Sequence, residues 1–172
     1  MNIFATDLNP VTAAKNLCDQ HVNKMIVESG QMLSNAFDLD RLAEDDCPRN
    51  AMGNPRSHGY ARHPCTLWAC ESKSNMLWLI QHALAMCMER QYRWSKDHFT
   101  KDFIMWCLEN IEDSLAPDLA LTDFAVAISQ DAKAREHPVF DRMSTVDKYR
   151  EYYRRDKGFG RWTKRKEPYW LN

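Results

Sequence analysis

The chain has 172 residues, 44% of them hydrophobic and 27% charged, with a formal net charge of −1; that is enough chain to bury a core and ordinary globular chemistry, which excludes a disordered polyelectrolyte. Only five glycines are present, which disfavours an all-β sandwich or a Rossmann-type turn. No apolar run approaches the roughly 18–20 residues that span a bilayer, and the opening MNIFATDLNP lacks both the basic and the long apolar region of a secretory signal, so a single helical domain over 1–172, without a membrane partner, is expected.

Residues 2–7 are β-prone and predict a short strand or an extended arm. Asn9 and Pro10 read as the cap and first position of a helix. Helical spacing of Val11, Ala14, Cys18, Val22, Met25, Ser29 and Met32 carries it to about Phe37. Residues 38–62 are rich in Asp, Gly and Pro and predict a long loop. His63-Pro64 opens a second helix reaching about Trp94, apolar on more than one side and therefore expected at the centre. A third helix is predicted over about 101–113, mixed loops with one short helix over 114–142, and a last helix from Ser144 or Thr145 to about Lys157, ended by Gly158 and Gly160. The fold class expected is mainly α, a bundle-like arrangement with long loops.

The six cysteines, Cys18, Cys47, Cys65, Cys70, Cys87 and Cys107, form no CxxC pair and no zinc-finger spacing. Reduced thiols in a cytoplasm are expected.

Three constellations can carry chemistry. In CDQHVNKMIVESGQ, the side chains of His21, Lys24, Glu28 and Gln31 fall within an arc of about 80° at roughly 100° per residue. This polar stripe lies on the same side as Leu17, Met25 and Met32 and turns inward. His and Glu supply acid and base capacity, and a desolvated Lys can clamp an anion or act as an amine nucleophile. The catalytic assignment is Glu28 as base, His21 as proton donor or orienting group and Lys24 as clamp or nucleophile. A buried hydrogen-bond network is the alternative.

Around SHGYARHPCTLW, Arg56, Arg62 and His63 precede a helix N-terminus, where free N–H groups favour phosphate, while Ser72, Asn75 and His82 form a polar face beside Trp68 and Trp78. Ser72 and Asn75 are candidate substrate contacts or local hydrogen bonds.

The segment 144–172 holds nine basic residues against four acidic ones. Tyr149, Tyr152, Tyr153, Phe159, Trp162, Tyr169 and Trp170 interleave with them. Arg150, Arg154, Arg161 and Trp162 are candidates for phosphate and base contact; docking of the aromatics into the core is the alternative. His21, Glu28, His63, Cys18 and His82 could be assembled into a metal site, but the two-turn spacing of His21 and Glu28 is wider than metal helices use, and no HExxH or ExxH is present. No metal and no cofactor are assigned.

CDQHVNKM, HPCTLWA, KYREYY and RWTKRKEPYW together resemble a family of short proteins encoded by tailed bacteriophages. That resemblance implies a phage setting, in the cytoplasm of an infected bacterial host, and little chemistry. AISQDAK followed by YREYY is similar to the small helical pyrimidine-dimer DNA glycosylases of phages. Those enzymes use an N-terminal threonine amine with a glutamate nearby. Here Asn2 follows Met1, so the resemblance implies that lyase-type chemistry would fall to Lys24 instead. The function expected is an enzyme acting on DNA or a nucleotide by acid–base or lyase-type chemistry. The alternatives are a non-catalytic nucleic-acid-binding or host-modulating protein and a metal-dependent hydrolase.

Overall fold

A computed structural model of the chain describes residues 1–157 and 160–171. Gly158, Phe159 and Asn172 lie outside the described residues. Among those described there are seven α-helices and no strand, so the mainly α expectation holds.

The first predicted helix is two. Helix α1, Pro10–Asn16, starts where Asn9 Oδ1 accepts from Val11 N and Thr12 N. Leu17 and Cys18 are extended, and α2 runs Asp19–Leu33. Apolar spacing continues straight through the corner and so conceals it. What makes the corner is polar. The Arg93 guanidinium, 1% exposed, donates to Leu17 O at 2.9 Å and Lys15 O at 3.2 Å, carbonyls that the ended helix leaves open. It also pairs with Glu89 and Asp19, each at 3.0 Å. Asp19 in turn accepts from Thr163 N and Oγ1, and Asp19 N donates to Arg161 O at 2.8 Å. One buried cation thus ties the α1–α2 corner to the fifth helix, and its aspartate partner reaches the C-terminal segment.

A short α3, Leu39–Ala43, interrupts the expected 38–62 loop. The second predicted helix is also two, α4 Pro64–Glu71 and α5 Lys73–Trp94. Ser72 between them is extended, and its Oγ accepts from Asn75 N. Helix α6 is Lys101–Glu109, followed by a 3-10 turn at Ile111–Asp113. Residues 114–142 hold only 3-10 turns, Lys133–Glu136 and Phe140–Arg142, in place of a short α-helix. Helix α7, Thr145–Asp156, begins at the Ser144 cap.

Helix α5 is central, as expected, with α1, α2, α4 and α6 packed around it. Gly30 lets α2 approach the start of α6 closely, since a Cβ there would lie 2.5 Å from Thr100 Cγ2. The N-terminal residues form no strand but an arm, and that arm is buried. Ile3, Phe4, Ala5 and Thr6 are buried, and their backbone runs between α2 and α7. The Phe4 ring stacks on His21 at 4.3 Å and meets Tyr153 edge-on at 5.4 Å, while Arg150 Nε donates to Thr6 O.

Replacing Arg93 with Met leaves the corner carbonyls and two carboxylates short of a partner. A loss of about 3–5 kcal/mol in unfolding free energy is expected by urea denaturation; a loss below about 1 kcal/mol would show that the knot does not hold the corner.

Candidate active site

A cleft of ≈ 260 Å³ opens beside the N-terminal arm, lined among others by Met1, His21, Lys24, Glu28, Tyr152 and Lys157. Its floor is the part of the α2 stripe that turns inward, His21 and Glu28; Lys24 and Gln31, expected to turn inward with them, are exposed. Glu28 is buried and accepts from the backbone N of Asn2 at 2.9 Å. The α-amine of Met1 stands 3.7 Å from the same oxygen, and Lys24 Nζ stands 3.5 Å from the other. The Met1 side chain is itself enclosed, with Thr66 Oγ1 3.5 Å from its sulfur. The arm is held on its far side by Asn2, whose amide donates to Ala127 O at 2.7 Å and whose Oδ1 accepts from Phe4 N.

His21 sits deeper. Its Nδ1 is hydrogen-bonded to the Tyr153 hydroxyl, and its ring lies against Phe4. Burial first, then the charges of Lys157 and Lys24, lower its pKa to about 4. A neutral imidazole orients and hydrogen-bonds; it is not a store of acid at neutral pH. Of the two roles expected for His21, the geometry fits orientation. Lys24 is exposed at the rim, and Lys157 faces it with its Nζ 4.8 Å from the Tyr152 ring centre. The fourth member of the stripe, Gln31, is exposed and lines a different cavity.

The structure brings His21, Lys24 and Glu28 together and sets His63 beside them. His63 caps α4 by accepting from Cys65 N, and its pKa is lowered by burial and by the Met1 ammonium, with Glu28 opposing. Arg62 is exposed in the preceding turn. Ser72 and Asn75 are not brought to the cleft. Both are fully buried, and Asn75 spends its amide on Trp68 O, Thr122 Oγ1 and Thr122 N.

Much of the basic strip is also turned inward. Arg150 serves Thr6 O and Asp7, Arg154 serves Trp170 O and Glu151, and Trp162 Nε1 donates to Asn16 O. Arg161, Lys164 and Lys166 remain exposed. Among the described residues no three His, Cys, Asp or Glu side chains gather as a metal site requires; His82 is buried on Pro10 O. No helix among them is long and apolar enough to cross a membrane.

Sequence reasoning missed the Met1 amine and Asn2, and it left Tyr152 and Lys157 undistinguished within the strip. The available signal was the apolar MNIF opening, which an exposed arm has no reason to carry.

An N-terminal amine against a buried glutamate is the arrangement that the glycosylase resemblance implies, and comparison with known families agrees. The profile of the pyrimidine dimer DNA glycosylase family matches residues 1–102. The chain belongs to that family. The match covers the arm, the α2 stripe and all of α5, and not the AISQDAK and YREYY segments that carry the resemblance. No curated protein and no solved structure matches the chain. As a member of the pyrimidine dimer DNA glycosylase family, the protein has DNA as its partner and glycosylase-like activity as its general function.

The pKa of His21 near 4 lies below the ordinary value of about 6.5, so between the two the unfolded chain binds a proton that the folded chain refuses. Stability is therefore greatest above about pH 6.5 and falls as pH drops toward 4, by an amount on the order of 2–3 kcal/mol from this group. The His21 ring signals are expected to stay flat by NMR from about pH 7.5 to about pH 5.5; a midpoint near 6.5 would contradict the burial.

Proposed function

We propose that the protein removes a damaged base from DNA using its own N-terminal amine, with Glu28 managing protons. The observation that carries this is the placement of the Met1 amine and the Asn2 nitrogen on one oxygen of a buried carboxylate, at the floor of an open cleft. A base inside a duplex is out of reach, so the damaged nucleotide must be swung out of the stack to meet the cleft.

The amine lone pair then attacks C1′ of that nucleotide. The C1′–N bond to the base breaks, its electron pair leaves with the base, and the base takes up a proton. Glu28 accepts a proton from the attacking nitrogen and passes it to O4′ as the C1′–O4′ bond breaks and the sugar ring opens, which leaves the nitrogen as an imine to C1′. Loss of a C2′ proton with cleavage of the C3′–O bond then releases the 3′ phosphate, and water hydrolyses the imine to free the amine. The Met1 amine sits at the enclosed floor of the cleft while the Lys24 side chain stands exposed at its rim, which favours the amine over Lys24 as nucleophile. Lys24 and Lys157, flanking the cleft mouth, neutralise the phosphates on either side. His21, held by Tyr153 and Phe4, orients the sugar without supplying a charge. In a phage setting such an enzyme would act in the cytoplasm of an infected host.

Borohydride reduces an imine to a stable amine, so a covalent protein–DNA adduct is expected with a duplex carrying an abasic site. Acetylating the α-amine should abolish it, with the helical circular dichroism signal retained. Glu28→Gln is expected to slow base release about a hundredfold or more. Undiminished trapping after acetylation, together with wild-type base release by Glu28→Gln, would refute the assignment.

A further inference from the structure

A second cavity, of ≈ 340 Å³, lies on α2 just past the catalytic cleft, lined among others by Gln31, Asn50, Arg56, Phe99 and Thr100. Gln31 follows Glu28 by three residues, about 4.5 Å along the helix axis, so the two openings share the polar stripe of α2. Gly30 lies between them, and a Cβ there would stand 4.0 Å from Arg56 Nη1, in ordinary contact, so the guanidinium lies directly against α2.

Arg56 is held rigidly. Its Nε donates to Pro48 O at 2.9 Å, its Nη2 reaches Arg49 O at 3.4 Å, and its guanidinium carbon is 3.9 Å from the Phe103 ring centre. Among the described residues no carboxylate pairs with it and nothing accepts from its Nη1, although the guanidinium is half-buried, a condition that lowers its pKa. A partly buried cation without a counter-ion is costly unless something brings the anion. The rest of the lining is supplied with donors. Asn50 Oδ1 is already occupied by Met52 N and Asn54 N, leaving its amide N–H groups. Among the described residues neither the exposed Gln31 side chain nor the Oγ1 of Thr100, a residue 2% exposed, has a hydrogen-bond partner. No Asp or Glu lines the cavity.

We propose that this cavity is a phosphate subsite for the DNA strand, in which Arg56 takes a backbone phosphodiester adjacent to the nucleotide in the catalytic cleft. The inference rests on the glycosylase reading for its choice of ligand. A cavity this much larger than a phosphate ion, with the half-exposed ring of Phe99 at its edge, fits a phosphate that comes with a sugar rather than a free ion.

The test is equilibrium binding to a duplex carrying a stable abasic analogue, measured across a salt series. Arg56→Gln is expected to weaken binding about tenfold and to lower the salt slope by about one, while Arg56→Lys keeps the slope. A merely structural Arg56 would shift the melting temperature and leave the slope alone. Should Arg56→Gln fail to fold, Asn50→Asp places a negative charge in the same cavity and should weaken binding at least as much. Wild-type affinity and slope in these variants would overturn the proposal. So would a shift of the Arg56 Nη signals by inorganic phosphate alone with the DNA slope unchanged, which would mark a free-phosphate site. If wild type and variants all fail to release base while the slopes still differ, the glycosylase reading falls and the phosphate subsite stands.

Discussion

A carboxylate withdrawn from water must be met by donors or cations, and most of the site's geometry follows from meeting that need at Glu28. The donors come from the start of the chain, the Asn2 backbone N–H and the Met1 amine. To deliver them, the first six residues give up the surface and thread between α2 and α7. The arm turns sharply enough that Phe4 adopts a left-handed φ of 41°, a conformation that costs an L-residue about 1–2 kcal/mol. Burial of the Phe4 ring among His21, Tyr149, Tyr152 and Tyr153 offsets it. The same packing removes His21 from solvent and fixes its ring on the Tyr153 hydroxyl. A single unfavourable burial thus sets the amine, the acid and the imidazole in one place.

A second buried charge organises the opposite end of the same corner. Arg93 joins the ends of α1 and α5 and the beginning of α2, and Asp19 and Glu89 extend its reach to Thr163 and Arg165 in the C-terminal segment. That segment is thereby an integral part of the fold. Tyr149, Tyr153, Trp162 and Trp170 are buried, and Arg150, Arg154, Arg155 and Arg165 are matched to internal acceptors or carboxylates. The positive charge left to face DNA is concentrated at the cleft mouth and on the exposed Arg161, Lys164 and Lys166.

Fold class, the central helix and the α2 stripe were legible because helical spacing and residue type carry them directly. The corner at Leu17–Cys18 and the break at Ser72 were not, since apolar spacing runs through both and the causes, Arg93 and the Asn75–Thr122 pairing, lie far off in the chain. Tertiary hydrogen bonds also decided which polar residues are available. Ser72 and Asn75 share a face with the core in any helical projection, and only the position of Thr122 shows that their groups are already spent. The β-prone opening predicts a strand or an extended arm, and nothing local shows that it is buried: a carboxylate 26 residues away is what draws it inside. The strip between Ser144 and Asn172 misled by charge count alone, because a guanidinium bonded to a carbonyl counts the same as one facing solvent.

The central claim is that the nucleophile is the chain's own α-amine and not the side chain of Lys24, which stands at a similar distance from Glu28. Peptide mapping by mass spectrometry of the reduced protein–DNA adduct separates the two. The reduced sugar remnant is expected on the N-terminal residue, with Lys24 unmodified; a remnant on Lys24 with a free N-terminus would contradict it.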